Sequence, residues 1–292
     1  MQEPTPHSSR LALAGGLIAL LAVGGGGFFI GRSTAPKPAP AAATAPEPTP
    51  APPPPPTILA PPPTLERAGL LDLVADAVDA ASTSLPQPEA VQSAAGRRFD
   101  LVLPFGCDGP VEGPRSAPFG WQYDPAKTTL RVWINPTRWK RATWALEDGE
   151  DGEEDKSALE GFWIATPWST ATECPAGSSG GAVPAADPAQ VENEVAIARL
   201  IEGEVDKSPR RLEIVKRMEP GDFDPARGFA LRVTGRTQSV QAGGPVQCVQ
   251  RGGRQQRPQC VIIGHFSELR VQNPKTGDVL AIWPISETSQ RD

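Results

Sequence analysis

QCVIIGHFSELRVQNPKTGDVLAIWPI, residues 259–285, is the stretch that decides the fold. Two runs within it, Gln259–Gln272 and Asp278–Ile285, are rich in β-branched and aromatic residues, a composition typical of strands. Between them, Asn273–Asp278 (NPKTGD) combines the residue types that favour tight turns. The stretch therefore predicts a β-hairpin of two strands.

Runs of the same kind recur upstream and are separated by Gly and Pro. They are Phe99–Phe105, Thr129–Ile134, Gly161–Trp168, Glu194–Ile201, Arg211–Met218, Phe229–Arg236 and Pro245–Gln250. Their spacing predicts one mostly β domain over residues 97–287, with the strands arranged as a sandwich or barrel. One helix is expected inside this domain, in NPTRWKRATWALEDGE, with Asn135 as its cap and Pro136 as its first residue.

All four cysteines of the chain lie in this β-domain, which favours disulfides over free thiols. Cys248 and Cys260 flank the turn RGGRQQRP, so a disulfide between them would join the two strands of a hairpin. Cys107 and Cys174 would then form the second disulfide. Four cysteines allow three pairings, and a zinc site is the competing interpretation, although the chain contains no C-x-x-C pair.

Residues 11–31, LALAGGLIALLAVGGGGFFIG, carry no charge and lie between Arg10 and Arg32. At ~1.5 Å per residue a helix of this length crosses the ~30 Å hydrocarbon core of a bilayer. The segment predicts a single transmembrane helix that follows a cytoplasmic tail, residues 1–10. A cleaved signal peptide is the alternative, but its apolar region is usually shorter, about 7–15 residues.

The position of the cysteines suggests which side of the membrane holds the β-domain. None precedes the apolar segment, and disulfides form in oxidising compartments. We therefore expect an inner-membrane protein with its β-domain in the periplasm. Gly27 and Gly31 match the G-x-x-x-G spacing that pairs membrane helices, so homo-oligomerisation through the membrane segment is an open alternative to simple Gly enrichment.

Residues 32–63 form a Pro- and Ala-rich tract in which polyproline II is the preferred conformation. At ~3.1 Å per residue the tract predicts an extended linker with a reach of up to roughly 90 Å. An amphipathic helix follows over residues 64–82, with Thr64 as its cap. Its apolar stripe comprises Leu70, Leu73, Val74, Ala77, Val78 and Ala81. The stripe either packs on the β-domain or mediates self-association or docking to a partner.

Residues 177–181 (GSSGG) resemble the nucleophile loop of trypsin-like serine proteases, which makes Ser179 a candidate nucleophile. The family has Asp or Asn before that serine, whereas this chain has Ser178. A serine nucleophile also needs a nearby base, and His265 is the only histidine outside the N-terminal tail. Because His265 lies in a predicted strand, a flexible Gly/Ser loop is the favoured interpretation, and we do not expect an enzyme.

The acidic run Glu147–Asp155 (EDGEDGEED) suits the oxygen preference of calcium. Its candidate ligands are Asp148, Glu150, Asp151 and Asp155. The run does not match the EF-hand spacing, so an exposed acidic loop is favoured over a calcium site. No cofactor motif is recognised, and no cofactor is expected.

Aromatic and cationic residues alternate in one stretch and are the candidate binding residues. They are Trp139 and Trp144 with Arg138, Lys140 and Arg141, joined by Arg251, Arg254 and Arg257 from the predicted hairpin. Such a surface could stack on sugar rings or attract an anionic polymer, whereas the alternative places the tryptophans in the core. The net charge of -6 argues against nucleic acid as the partner.

The sequence thus predicts a bitopic protein of a bacterial-type envelope. A short inner tail, one membrane helix, a proline-rich linker and an outer domain form a layout similar in general terms to that of TonB-type energy transducers, without a motif of their terminal domain. We expect the β-domain to be a non-catalytic module that binds an envelope protein. A cell-wall glycan target and an extracytoplasmic serine hydrolase remain the alternatives.

Overall fold

The computed structural model describes residues 62–146, 157–177, 183–184, 194–202, 210–239, 243–251 and 255–285. These residues belong to one compact unit that spans Ala60–Asp292. Within them, no helix combines the length and the apolar character that a bilayer crossing requires. The predicted membrane segment, 11–31, and nearly all of the predicted linker lie outside the described residues.

Two helices and fourteen strands make up the described part of the chain. The helices are α1 (Arg67–Thr83) and α2 (Glu89–Gln92). The strands are β1 (Leu65–Glu66), β2 (Arg98–Phe105), β3 (Val111–Glu112), β4 (Phe119–Asp124), β5 (Thr129–Ile134), β6 (Thr137–Lys140), β7 (Ser157–Trp163), β8 (Val183–Pro184), β9 (Val195–Glu202), β10 (Leu212–Arg217), β11 (Phe229–Thr237), β12 (Val246–Val249), β13 (Gln259–Gln272) and β14 (Val279–Pro284). The mostly β fold is thereby confirmed.

Strand β13 organises the large sheet, because both of its edges are paired along most of its length. Its first residues pair with β12 and β9, and its later residues pair with β11 and β14. The main path of the sheet runs β1-β2-β11-β13-β9-β7-β6. The hairpin predicted at residues 259–285 is confirmed as the β13–β14 pair, with Asn273 donating to Asp278 across the turn.

A second sheet, in the order β10-β5-β4, packs on the large one and gives the domain its sandwich-like form. Inward side chains of both sheets share one apolar core. Leu130 and Val132 come from the small sheet, and Leu231 and Val233 come from the large one. Rings of Trp121 and other aromatic residues fill the space between the sheets.

The first half of β13 and its neighbour β9 are buried on both faces. In β9, Val195 and Ile197 face the main core, whereas Ala196 and Ala198 face a second apolar cluster on the other side of the sheet. Strand β9 also runs parallel to β13. Parallel strands covered on both faces are typically continuous apolar runs, which matches the VAIA and CVII segments.

Helix α1 begins at Arg67, three residues after the predicted cap Thr64, because the short strand β1 precedes it. Its apolar stripe, including Leu70, Val74 and Ala77, is buried in the main core. The helix contacts β12, β13 and β2 of its own chain. The apolar stripe of α1 therefore packs on the β-domain, which was one of the two predicted alternatives. Self-association through this stripe would require α1 to leave its sheet.

The helix predicted at Asn135 and Pro136 is wrong. Strand β6 begins at Thr137 and pairs with β7, and only residues 141–144 form a single 3₁₀ turn. Asn135 instead donates its side-chain amide to the carbonyls of Arg115 and Ala117. Strand pairing overrides the capping signal here because it places Trp139 inside the second apolar cluster.

Both predicted disulfides are confirmed. Cys248 of β12 lies directly opposite Cys260 of β13, with a Cα–Cα distance of 4.1 Å, and forms what we call the hairpin disulfide. Cys107 and Cys174 form the long-range disulfide, with a Cα–Cα distance of 5.4 Å. The long-range disulfide links the loop after β2 to the loop after β7.

Candidate functional site

The loop after β7 presents the most exposed tryptophan of the described residues. A strand was expected over Gly161–Trp168, but β7 ends at Trp163, and residues 164–169 form what we call the Trp168 loop. Ile164 is buried, whereas the Trp168 side chain is 72% exposed. Pro167 lacks a backbone N–H and cannot extend the ladder, which explains why the strand does not continue.

A buried arginine holds the backbone of the Trp168 loop. Arg67, in the first turn of α1, is 1% exposed. Its Nε donates to the carbonyl of Ser169 at 2.9 Å, and its Nη2 donates to the carbonyls of Ala165 at 2.8 Å and Thr166 at 3.2 Å. A further bond from Nη1 reaches the carbonyl of Val102 at 3.3 Å.

The acceptors of Arg67 are all backbone carbonyls in the loop and in β2, and burial lowers the pKa of its guanidinium from the ordinary value. Desolvation of a cation is costly, so the four carbonyl bonds must replace its lost hydration. Arg67 therefore fixes α1, β2 and the Trp168 loop against one another.

The backbone of the Trp168 loop also adopts an unusual conformation. Thr166 has a φ of +49°, which is uncommon for a β-branched residue. Its carbonyl accepts from the N–H of Ser169 at 2.9 Å, closing a turn with Pro167 and Trp168 at its centre. Such local strain persists only where the surroundings impose it, and it concentrates at functional sites. Trp168 is thus an exposed aromatic side chain on a backbone that is already ordered.

The tryptophans predicted as binding residues lie elsewhere. Trp139 and Trp144 are 8% and 1% exposed and form a cluster with Trp163 on the second face of the large sheet. Their ring centroids are 6.0 Å apart, and Trp163 lies 5.2 Å from Trp139. The core alternative therefore holds for both, and their faces are not available to stack on a ligand.

The predicted cationic residues that the structure describes have different surroundings. Arg251 lies over the Trp144 ring, 5.6 Å from its centroid, and Arg257 approaches Glu194 at 3.4 Å. Lys140 is exposed and Arg141 is half-buried. Arg138 lines a separate cleft with Glu160, described below, and Arg254 lies outside the described residues.

The catalytic and metal candidates are placed only in part. Ser179 and the acidic candidates Asp148, Glu150, Asp151 and Asp155 lie outside the described residues. His265 is half-buried in β13, opposite Arg236 of β11. Across the described ranges, no three His, Cys, Asp or Glu side chains come close enough together to hold a metal ion.

We did not predict from the sequence that Arg67 holds the Trp168 loop, although the sequence contains a signal for it. Arg67 lies three residues before Leu70, so it falls on the same face of the helix as the apolar stripe. A charged residue on the same helix face as a buried apolar stripe is unusual. It indicates that hydrogen-bond acceptors lie within reach of the buried charge. The Trp168 loop had its own signal, since Pro167 interrupts the predicted strand.

Comparisons of this chain with protein-family models, with curated proteins and with solved structures return no match. No relative therefore supplies a function, and the geometry of the described residues carries the proposals below.

Proposed function

We propose that this chain is a membrane-anchored envelope protein whose β-domain binds a protein partner without catalysis. The observation that carries the proposal is Trp168, which is 72% exposed on a loop clamped by Arg67. Exposed aromatic side chains are enriched among the residues that dominate binding energy at protein interfaces. A clamped backbone also reduces the entropy lost on binding.

The disulfides support a position outside the cytoplasm. Both bonds lie in the β-domain, and such bonds persist in oxidising compartments. The charge-free segment 11–31 would anchor the chain in the inner membrane, and the Pro-rich tract 32–63 would hold the domain away from it in the periplasm. Protease treatment of intact spheroplasts tests this topology: a domain digested only after lysis would contradict it.

The binding proposal is tested by placing a photo-crosslinking residue at Trp168 of the full chain in its native membrane. Leu85, 65% exposed just after the end of α1, provides the matched control position. We expect a discrete adduct from position 168 and none from position 85. Added wild-type protein should compete with the adduct, and protein carrying Trp168→Ala should not. Equal competition by the two proteins would overturn the proposal.

A glycan target remains the second candidate, because an exposed indole can also stack on a sugar ring. Ser169 and Thr170 follow Trp168 and carry hydroxyl groups suited to polar contacts with a sugar. Retention of the full chain on purified cell wall, lost in Trp168→Ala, would favour the glycan over a protein. Absence of retention together with a protein adduct would favour the protein partner.

A further inference from the structure

A small cleft opens between the two sheets, and none of its lining residues belongs to the Trp168 loop. Its volume is about 200 Å³, and its walls come from β6, β7, β9, β10 and β13. The charged lining residues are Arg138, Glu160, Arg199 and Arg210, and the apolar ones include the half-buried Leu212 and Ile285 and the buried Phe162, Phe266 and Leu269. A space of this size accommodates about one amino-acid residue.

A shared carboxylate orients two of the guanidinium groups. Glu160, 8% exposed, accepts from Arg138 Nε and from Arg199 Nη2, each at 2.9 Å. Its two carboxylate oxygens thus fix the orientation of both arginines. Within the part of the chain that the structure describes, the Nε and Nη1 of Arg199 make no further hydrogen bond.

The described lining carries an excess of positive charge. Three guanidinium groups face one carboxylate, and Arg210 is exposed at the rim. The whole chain, by contrast, has a net charge of -6. A local cationic excess on an acidic protein attracts an anion, and guanidinium groups bind carboxylates through paired, planar hydrogen bonds.

The floor of the cleft is apolar. The buried Phe162 and Phe266 stack there with their ring centroids 6.4 Å apart, and the half-buried Leu212 and Ile285 line the cleft with them. An inorganic anion would leave this floor unused. A nucleic-acid chain would need an extended basic face rather than a cleft the size of one residue. The occupant therefore combines an anionic group with one apolar group.

We propose that this cleft binds a carboxylate carried next to a single apolar side chain, as at the C-terminus of a peptide. The carboxylate lies against Arg199 and Arg210, and the apolar side chain contacts Leu212 and Ile285, which line the cleft together with the buried Phe266 and Leu269. Recognition of terminal carboxylates is an established mode of peptide binding. This site goes beyond the proposed function, because it uses none of the residues of the Trp168 loop.

Titration calorimetry on the full chain in a non-ionic detergent tests the proposal, with N-acetyl-L-phenylalanine as the probe. We expect saturable binding of this acid. Its amide should bind at least about tenfold more weakly, because it lacks the charged acceptor. N-acetylglycine should also bind at least about tenfold more weakly, because it leaves the apolar floor uncovered. 3-Phenylpropionate, which has the carboxylate and the ring but no amide group, distinguishes the two possible sources of the carboxylate. If it binds as tightly as N-acetyl-L-phenylalanine, the natural ligand is a simple organic acid. If it binds more weakly, the natural ligand is the C-terminus of a peptide.

Arg210→Gln provides the matched variant, because Arg210 is exposed and is not needed to orient Glu160. It should weaken binding of the acid by about tenfold. Arg217→Gln, an exposed position at the other end of β10, should leave the affinity unchanged. Equal binding of acid and amide, no saturable binding, or wild-type affinity in Arg210→Gln would each overturn the proposal.

Discussion

Arg67→Met is expected to destabilise the β-domain and to loosen the Trp168 loop at the same time, because one guanidinium group serves both. Methionine retains most of the aliphatic volume of the side chain but donates no hydrogen bond. The carbonyls of Ala165, Thr166 and Ser169 in the loop, and that of Val102 in β2, would each lose the hydrogen bond from the guanidinium group.

The magnitude follows from two opposing contributions. A hydrogen bond to a charged group contributes ~1.5–3 kcal/mol, so four such bonds contribute ~6–12 kcal/mol before any correction. Burying the cation costs several kcal/mol, which Met does not incur. The difference leaves a net loss of about 3 kcal/mol in the free energy of unfolding. For a domain of this size, that loss lowers Tm by ~6–12 °C.

Thermal unfolding followed by circular dichroism measures the loss of stability, and hydrogen exchange of residues 164–169 measures the loosening. Arg98→Met is the matched control, since Arg98 is exposed on β2 and should change Tm by no more than ~2 °C. The reasoning fails if Arg67→Met unfolds within ~2 °C of the wild type. It also fails if the loop amides exchange as slowly as before.

Three further outcomes are expected. Replacing both cysteines of the long-range disulfide with serine should lower the free energy of unfolding by ~4 kcal/mol, against ~3 kcal/mol for the hairpin disulfide. The reason is that the long-range disulfide closes a loop of 67 residues and the hairpin disulfide one of 12, so the first restricts the unfolded chain more. Urea unfolding of the two double variants compares the losses, and a reversed order would contradict the loop-closure argument. Glu213→Gln should lower stability at neutral pH by up to ~1 kcal/mol and by nothing at low pH. The hydrogen bond from Arg131, aided by the charge of Arg115, lowers the pKa of Glu213 in the folded protein. The contribution of Glu213 to stability is therefore complete above the ordinary glutamate pKa and is lost as pH falls through the lowered value. Parallel stability curves for the variant and the wild type across this pH range would refute the prediction. Trp168→Ala should change the free energy of unfolding by less than ~0.5 kcal/mol while the variant protein no longer competes for the crosslinked adduct, and a larger destabilisation would mean that the indole supports the fold.

The strands were predictable where local composition and turn chemistry agree. Gln259–Gln272 forms β13 within the bounds that its residues predict, and the turn at Asn273–Asp278 fixes its pairing with β14. The hairpin disulfide was predictable for the same reason, because a hairpin places Cys248 and Cys260 opposite each other. These features depend on residues close together in the chain.

The remaining features depend on contacts between distant residues, which single-sequence patterns do not contain. The acceptors of Arg67 in the Trp168 loop lie about a hundred residues away, at separations of 98, 99 and 102. The parallel pairing of β9 with β13 also joins segments that are far apart in the chain. Their amino-acid composition does not indicate that these two strands pair with each other. Trp139 and Trp144 show the converse error: their cationic neighbours suggested a surface, whereas pairing of β6 with β7 buries them.

Arg67 connects the proposed binding loop to the segment through which the predicted linker enters the domain. The carbonyl of Pro63 accepts from Arg97, and β1 then pairs with β2 before α1 begins at Arg67. Only three residues, Thr64–Glu66, therefore separate the end of the predicted linker from Arg67, which holds the Trp168 loop. The segment that follows the linker therefore contributes both β1, which pairs with β2, and Arg67, which holds the Trp168 loop. We therefore expect changes at this junction, and not only changes in the length of the linker, to affect how the proposed partner reaches Trp168.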